Sequence, residues 1–128
     1  MPPRPCPCGL PEPIDACCGR YLGPSGAPAP TAETLMRSRY TAFATGDVEH
    51  LLRTWHPTTR PASLELDPAL RWTQLEVLDR VRGGPFDTEG VVEFRAHHRE
   101  GPRRGVLHER SRFVREDGRW LYRDGTVG

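Results

Sequence analysis

Val106-Leu-His-Glu-Arg-Ser-Arg-Phe-Val-Arg-Glu-Asp-Gly-Arg-Trp-Leu-Tyr-Arg-Asp124 reads as a strand, a turn and a second strand. Asp117-Gly118 is the hinge, because both central residues of the favoured two-residue hairpin turn need positive φ. With that pair as the loop, Phe113 faces Tyr122, Ser111 faces Asp124 and Arg115 faces Trp120. One face of the hairpin then carries Glu109, Ser111, Phe113, Trp120, Tyr122 and Asp124. The other carries His108, Arg110, Arg112, Val114, Leu121 and Arg123. The strongly charged face belongs in water, so the aromatic and acidic face turns inward and a polar-lined concavity is expected.

Upstream, the same period of two recurs in Val91–His98, where Val92, Phe94, Ala96 and His98 share a side, and in Trp72–Leu78, where Leu75 and Val77 are its apolar members. Before these strands the period changes. Thr31 or Thr34 can cap a helix running to about Thr45, with Met36, Tyr40 and Phe43 as its apolar stripe and Arg37 and Arg39 mostly off it. Gly46 punctuates and Asp47 caps a second, short helix. Val48, Leu51, Leu52 and Trp55 form its buried side, and His56-Pro57 ends it. Helices followed by a curling antiparallel sheet make an α+β architecture in which a cup forms.

At the other end, four cysteines crowd into the first eighteen residues as Cys6-x-Cys8-x8-Cys17-Cys18. Two close thiol pairs joined by a fold-back loop suit one ion at the roughly 2.3 Å bond lengths of zinc–thiolate sites. Disulfides within either pair would close strained small rings, whereas cross-pairings between the pairs remain open, as does an iron–sulfur centre. The N-terminal Met-Pro-Pro-Arg-Pro has no apolar export signal, which favours a reducing cytoplasmic setting and therefore a metal. A shell of four thiolates leaves no place for water, so the zinc would be structural. Only Leu10, Ile14, Tyr21 and Leu22 supply apolar surface here, and metal binding must order the segment. Arg4 and Arg20 are placed to offset the excess thiolate charge.

Gly23-Pro-Ser-Gly-Ala-Pro-Ala-Pro30 cannot build a core. The expected organisation is a knuckle at 1–22, a linker at 23–30 and an α+β domain at 31–128. No span is apolar over the length needed to cross a bilayer, and no membrane is expected as a partner. The formal charge of +1 is too balanced for a dedicated nucleic-acid binder. Arg99, Arg103, Arg104, Arg110, Arg112 and Arg123 do cluster. A chain with no lysine or asparagine but many Arg, Ala, Gly and Pro residues acquires such clusters from composition alone.

Met36-Arg-Ser-Arg-Tyr-Thr-Ala-Phe43, Thr54-Trp-His-Pro57, Glu109-Arg-Ser-Arg-Phe113 and Gly118-x-Trp-x-Tyr-x-Asp-Gly125, with Cys-Pro-Cys-Gly at the start, together resemble the YchJ-like family of bacterial proteins. The resemblance covers nearly the whole chain with five motifs in order. It implies a nuclear transport factor 2-like cone, a curved antiparallel sheet on helices, which agrees with the cup. It also implies zinc ligation by Cys6, Cys8, Cys17 and Cys18, in a motif similar to the SEC-C zinc motif of the SecA translocation ATPase. It supplies no established catalytic residues. Many relatives carry a second cysteine motif after the domain, and this chain runs to Gly128 with one copy.

Two functions are expected to compete. One is a binding or adaptor module whose zinc knuckle, carried on a flexible tether, docks a protein or ribosome-associated partner. The other is a small-molecule binder or acid–base enzyme using a pocket of Tyr40, His56, His98, Glu109, Ser111, Phe113, Trp120, Tyr122 and Asp124, with His56, Glu109 and Asp124 as catalytic candidates. Each has a plainer role: His56 at a helix end, Glu109 paired with Arg37 or Arg39, His98 at the core edge, and Phe113, Trp120 and Tyr122 as packing. An open cup with His56 in reach of Glu109 or Asp124 favours chemistry. A filled cup with Glu109 ion-paired removes its chamber.

Overall fold

The computed structural model describes residues 5–23 and 26–127. Helix α1 spans Ala32–Thr45 and α2 spans Val48–Arg53. Four strands follow, β1 (Leu70–Arg82), β2 (Glu89–Glu100), β3 (Arg103–Glu116) and β4 (Arg119–Val127), in one antiparallel meander in sequence order. Two 3-10 turns, Ile14–Ala16 and Cys18–Arg20, shape the cysteine segment.

Thr31 is the cap of α1. Its hydroxyl accepts the Thr34 N–H at 3.1 Å, satisfying one of the orphan donors of the first turn. Met36 and Tyr40 are buried as the helical period demands, and Phe43 is half-buried. Arg39 departs from expectation. It is only 6% exposed, because its long side chain reaches beneath α2 instead of out to solvent. Asp47 caps α2 by accepting the His50 N–H at 3.1 Å. The deepest residues of that helix are Leu51, as expected, and His50, while Val48 and Leu52 are half-buried. Periodicity in apolar residues is blind to His50, which is held inside by the Ser38 hydroxyl at 2.9 Å.

The Asp117-Gly118 turn has φ of 53° and 76°, the positive values its type requires. Phe113 pairs with Tyr122 and Arg115 with Trp120 as read from the sequence. Beyond Phe113 the register slips. Arg112 pairs with Asp124 and Ser111 with Gly125, so Arg123 is the extra residue of a β-bulge. The slip corrects one face assignment: Asp124 leaves the inner face and meets Arg112 outside. Two further irregularities in β1, at Thr73 and Leu78, interrupt its pairing with β2 and bend the sheet around α1.

The end of α2 is stitched to β4. Tyr122 donates its N–H to Thr54 O at 2.8 Å and accepts the His56 N–H at 2.7 Å on its own carbonyl. Leu35, Met36, Tyr40, Leu75, Val92, Ala96, Phe113 and Trp120 form the core, and the four cysteines are continuous with it. The stretch expected to be a free tether is pinned in place: Ala29 is buried, Ala27 donates to Arg20 O, and Trp120 Nε1–H donates to Pro30 O at 3.3 Å.

Candidate functional site

Backbone pairing brings the thiols together. Cys6 N–H donates to Glu12 O at 2.8 Å, and Gly9 N–H to Cys6 O at 3.1 Å, turning the chain back after the first pair. The Ile14–Ala16 turn delivers the second pair, with Cys17 N–H on Ile14 O at 3.1 Å. All four Sγ atoms lie within 4.8 Å of one another, and Cys8 and Cys17 are 3.6 Å apart. A tetrahedron with bonds of about 2.3 Å has edges of about 3.8 Å, so the cluster closes on a single ion with little movement. The cysteines are free of disulfides and are 0–6% exposed. The donor set is all sulfur and suits a metal ion.

The thiols share protons unevenly. Hydrogen bonding from Cys18 lowers Cys8 to about 5 against the opposing effect of burial. Burial, then the contact with Cys8, pushes Cys17 up to about 12. Cys18 is raised chiefly by its hydrogen bond to Cys8. Cys8 is thus poised to lose its proton before Cys17 and Cys18, and cation binding displaces theirs. Of the two arginines expected to balance this charge, Arg4 lies outside the described residues. Arg20 instead covers the Tyr21 ring and reaches the Cys17 carbonyl. Arg37 does the anchoring, with Nη1 donating to Cys8 O at 2.8 Å and Nε to Glu33, which also pairs with Arg80 of β1. Its sequence signal was the Glu33–Arg37 spacing on one helix face.

On the sheet side of α1 lies a cavity of about 230 Å³, lined by Met36, Arg39, Tyr40, Phe43, Trp55, Trp72, Phe94, Ala96, Leu107, Glu109, Ser111, Phe113 and Tyr122. Much of its lining is aromatic, with Trp72 packed against Tyr40 at 6.3 Å and Phe43 at 6.0 Å between ring centres. Arg39, Glu109 and Ser111 are its polar members. Arg39 Nη1 donates to Leu51 O at 2.8 Å and Thr54 Oγ1 at 2.7 Å, and the guanidinium lies against Tyr122 (4.6 Å) and Trp55 (5.1 Å), whose rings meet edge-on at 5.2 Å. Burial lowers Arg39 to about 10, with Tyr122 and Glu109 opposing; it remains charged at neutral pH. Glu109 Oε2 accepts from Ser111 Oγ and from Tyr122 OH at 3.3 Å. Trp55 Nε1–H is buried with no acceptor among the described residues.

Five of the expected pocket residues meet here: Tyr40, Glu109, Ser111, Phe113 and Tyr122. Four do not. His56 Nε2–H donates to Glu116 at 2.8 Å and its Nδ1 accepts the Thr58 N–H at 3.1 Å, outside the cup lining that holds Glu109. His98 stands edge-on to Trp72 at 5.3 Å and rests on Gly105. Trp120 is sealed in the core, and Asp124 is held outside by Arg112 at 2.6 Å. Glu109 pairs with neither Arg37 nor Arg39 among the described ion pairs. The sequence reading missed Arg39, Trp55 and Trp72 as lining. The motif run Met36–Phe43 did contain Arg39, but an arginine inside a helix signals surface until its neighbours are known.

A curved four-stranded sheet wrapped on two helices, with a thiol cluster built into its edge, is the architecture of an NTF2-like domain carrying an N-terminal cysteine motif. The family description "YchJ, middle NTF2-like domain" matches residues 31–125. A UPF0225 protein of Streptomyces coelicolor is 60% identical over 98% of this chain and 97% of its own length, and one of Chromobacterium violaceum is 54% identical over 95% and 92%. The solution structure of a SEC-C motif containing protein from Rhodopseudomonas palustris superposes with a TM-score of 0.83 at 32% identity, covering 98% of this chain and 99% of that one. A crystal structure of another, from Psychrobacter arcticus, gives 0.77 at 27% identity, covering 98% and 83%. The chain belongs to the YchJ-like UPF0225 family.

Proposed function

We propose that this protein binds a small organic molecule in the cup, and that zinc on Cys6, Cys8, Cys17 and Cys18 is the staple that holds the wall behind α1. The observation that carries the reading is the cavity: aromatic side chains line it without filling it, and a charged arginine, a carboxylate and an unpartnered indole N–H remain inside. Acid–base catalysis has less support, because the lining contains no histidine and His56 is engaged with Glu116. A closed four-thiol set suits zinc, which takes four sulfur ligands in a tetrahedral structural site. Native mass spectrometry of protein purified under reducing conditions tests both halves, with one zinc per chain and a co-purifying small molecule as the expected result. Metal-free chains that neither carry nor take up any apolar small molecule would refute it.

Docking of a protein or ribosome-associated partner by the cysteine segment is the second reading. Gly9–Glu12 is its exposed outer loop, and Leu10 is 37% exposed there. Affinity capture should compare the intact chain with Leu10→Glu, since deleting a segment continuous with the core would test stability instead. An unchanged set of partners removes this reading.

A further inference from the structure

Arg39 and Glu109 are the charged residues of the cup lining, one of each sign. They make no direct ion pair among the described contacts; each is held by neutral groups instead. The hydrogen bonds of Arg39 among the described residues leave from Nη1, so its Nε and Nη2 donors have no acceptor among them. Beside the guanidinium, Trp55 is a second donor without a partner. That indole N–H is a buried donor of a kind rare in native structures, and it marks a place where an acceptor belongs. Arg39 comes from α1 and Trp55 from the segment that follows α2 and bridges to Tyr122 of β4, while the carboxylate comes from β3.

Net charge decides the class of ligand. The lining sums to zero, so a lone anion or a lone cation would leave one uncompensated charge in the cup, whereas a molecule with both charges leaves none. Size limits it further. A cavity of about 150 Å³ accepts benzene, so one of about 230 Å³ has room for a ring or branched chain plus a short polar head. We propose that the cup binds zwitterionic amino carboxylates with an apolar body: the carboxylate accepts from Arg39 and Trp55 Nε1–H, the ammonium donates to Glu109, and the body lies against Trp72 and Phe94. This rests on the cup being the binding site.

The test is a titration of the zinc-loaded full chain with L-phenylalanine, 3-phenylpropionate, phenethylamine and toluene, followed by the indole N–H resonances and by calorimetry. Trp120 is the internal control, since its Nε1–H is already on Pro30 O. L-Phenylalanine should bind about tenfold or more tighter than either singly charged analogue, the worth of one charge-assisted hydrogen bond. Trp55 N–H should shift downfield while Trp120 stays still. Trp55→Phe keeps the ring and should weaken the two carboxylates together. Glu109→Gln should bring L-phenylalanine and 3-phenylpropionate to similar affinity. Equal or better binding of either singly charged analogue to the wild type overturns the proposal. Toluene binding alone overturns the ligand class and leaves the cup as a binding site. No cup resonance moving with any probe overturns both.

Discussion

Acidification from about pH 7.5 to about pH 5 should cost this fold roughly 2 kcal/mol through His50 alone. The ring is 2% exposed. Ser38 Oγ donates to Leu35 O at 2.7 Å, which leaves the hydroxyl oxygen to accept from His50 Nε2–H at 2.9 Å. Nδ1 therefore carries the lone pair and faces Arg53 Nη2 at 3.5 Å. A proton there would be buried next to two guanidinium groups. Burial first, then Arg53 and Arg39, lowers His50 from 6.5 to about 4, with Asp47 opposing. Between those values the unfolded chain binds more protons than the folded one, so stability falls as pH falls. It falls by about 1.4 kcal/mol for each pH unit below 6.5. Urea unfolding of wild type and His50→Gln, both zinc-saturated and reduced, isolates the effect, because carboxylates and metal ligands titrate alike in the two proteins. The wild type should lose about 2 kcal/mol more than the variant over this window. Parallel pH profiles would refute the assignment of a buried neutral imidazole.

Stripping the metal with a chelator, or Cys17→Ser, should lower the melting temperature of the whole domain, since the thiols belong to the same core as Leu35 and Leu75; calorimetry showing an unchanged transition would separate the cluster from the fold. Apparent zinc free energies of roughly 10–16 kcal/mol set the scale available for this coupling. Gly125→Ala places a methyl group on the Glu109 carboxylate, displacing it from Ser111 and Tyr122. Denaturation should show a loss of about 1–3 kcal/mol, largely relieved in the Gly125→Ala, Glu109→Ala double variant. Asp124→Ala, by contrast, breaks only an exposed pair with Arg112; it should cost about 0–1 kcal/mol and leave ligand affinity in the cup unchanged.

The hairpin was legible because its signals are local. Asp117-Gly118 sets the turn, and alternation sets the faces of the residues next to it. The helix caps Thr31 and Asp47 and the four clustered thiols were equally local. What escaped were features in which distant segments meet. The bulge at Arg123 has no composition of its own, yet it moves Asp124 from the cup to the outer face. Arg39 and His50 look like solvent residues until α2 and β4 close over them with carbonyl, hydroxyl and ring partners. The outer arginines Arg110 and Arg112, suggestive in sequence, are ion-paired to carboxylates on other strands of the sheet.

Residue order alone determined the secondary structure, the inward face of the final hairpin up to Tyr122, and the convergence of four sulfurs, since each depends on spacing within a short stretch of chain. Tertiary structure decided which side chains face one another across the cup. A polar group goes inside only when partners from other elements satisfy it, and those partners lie many residues away, with Arg39 bound at α2 and stacked on β4, and Glu109 held by Tyr122.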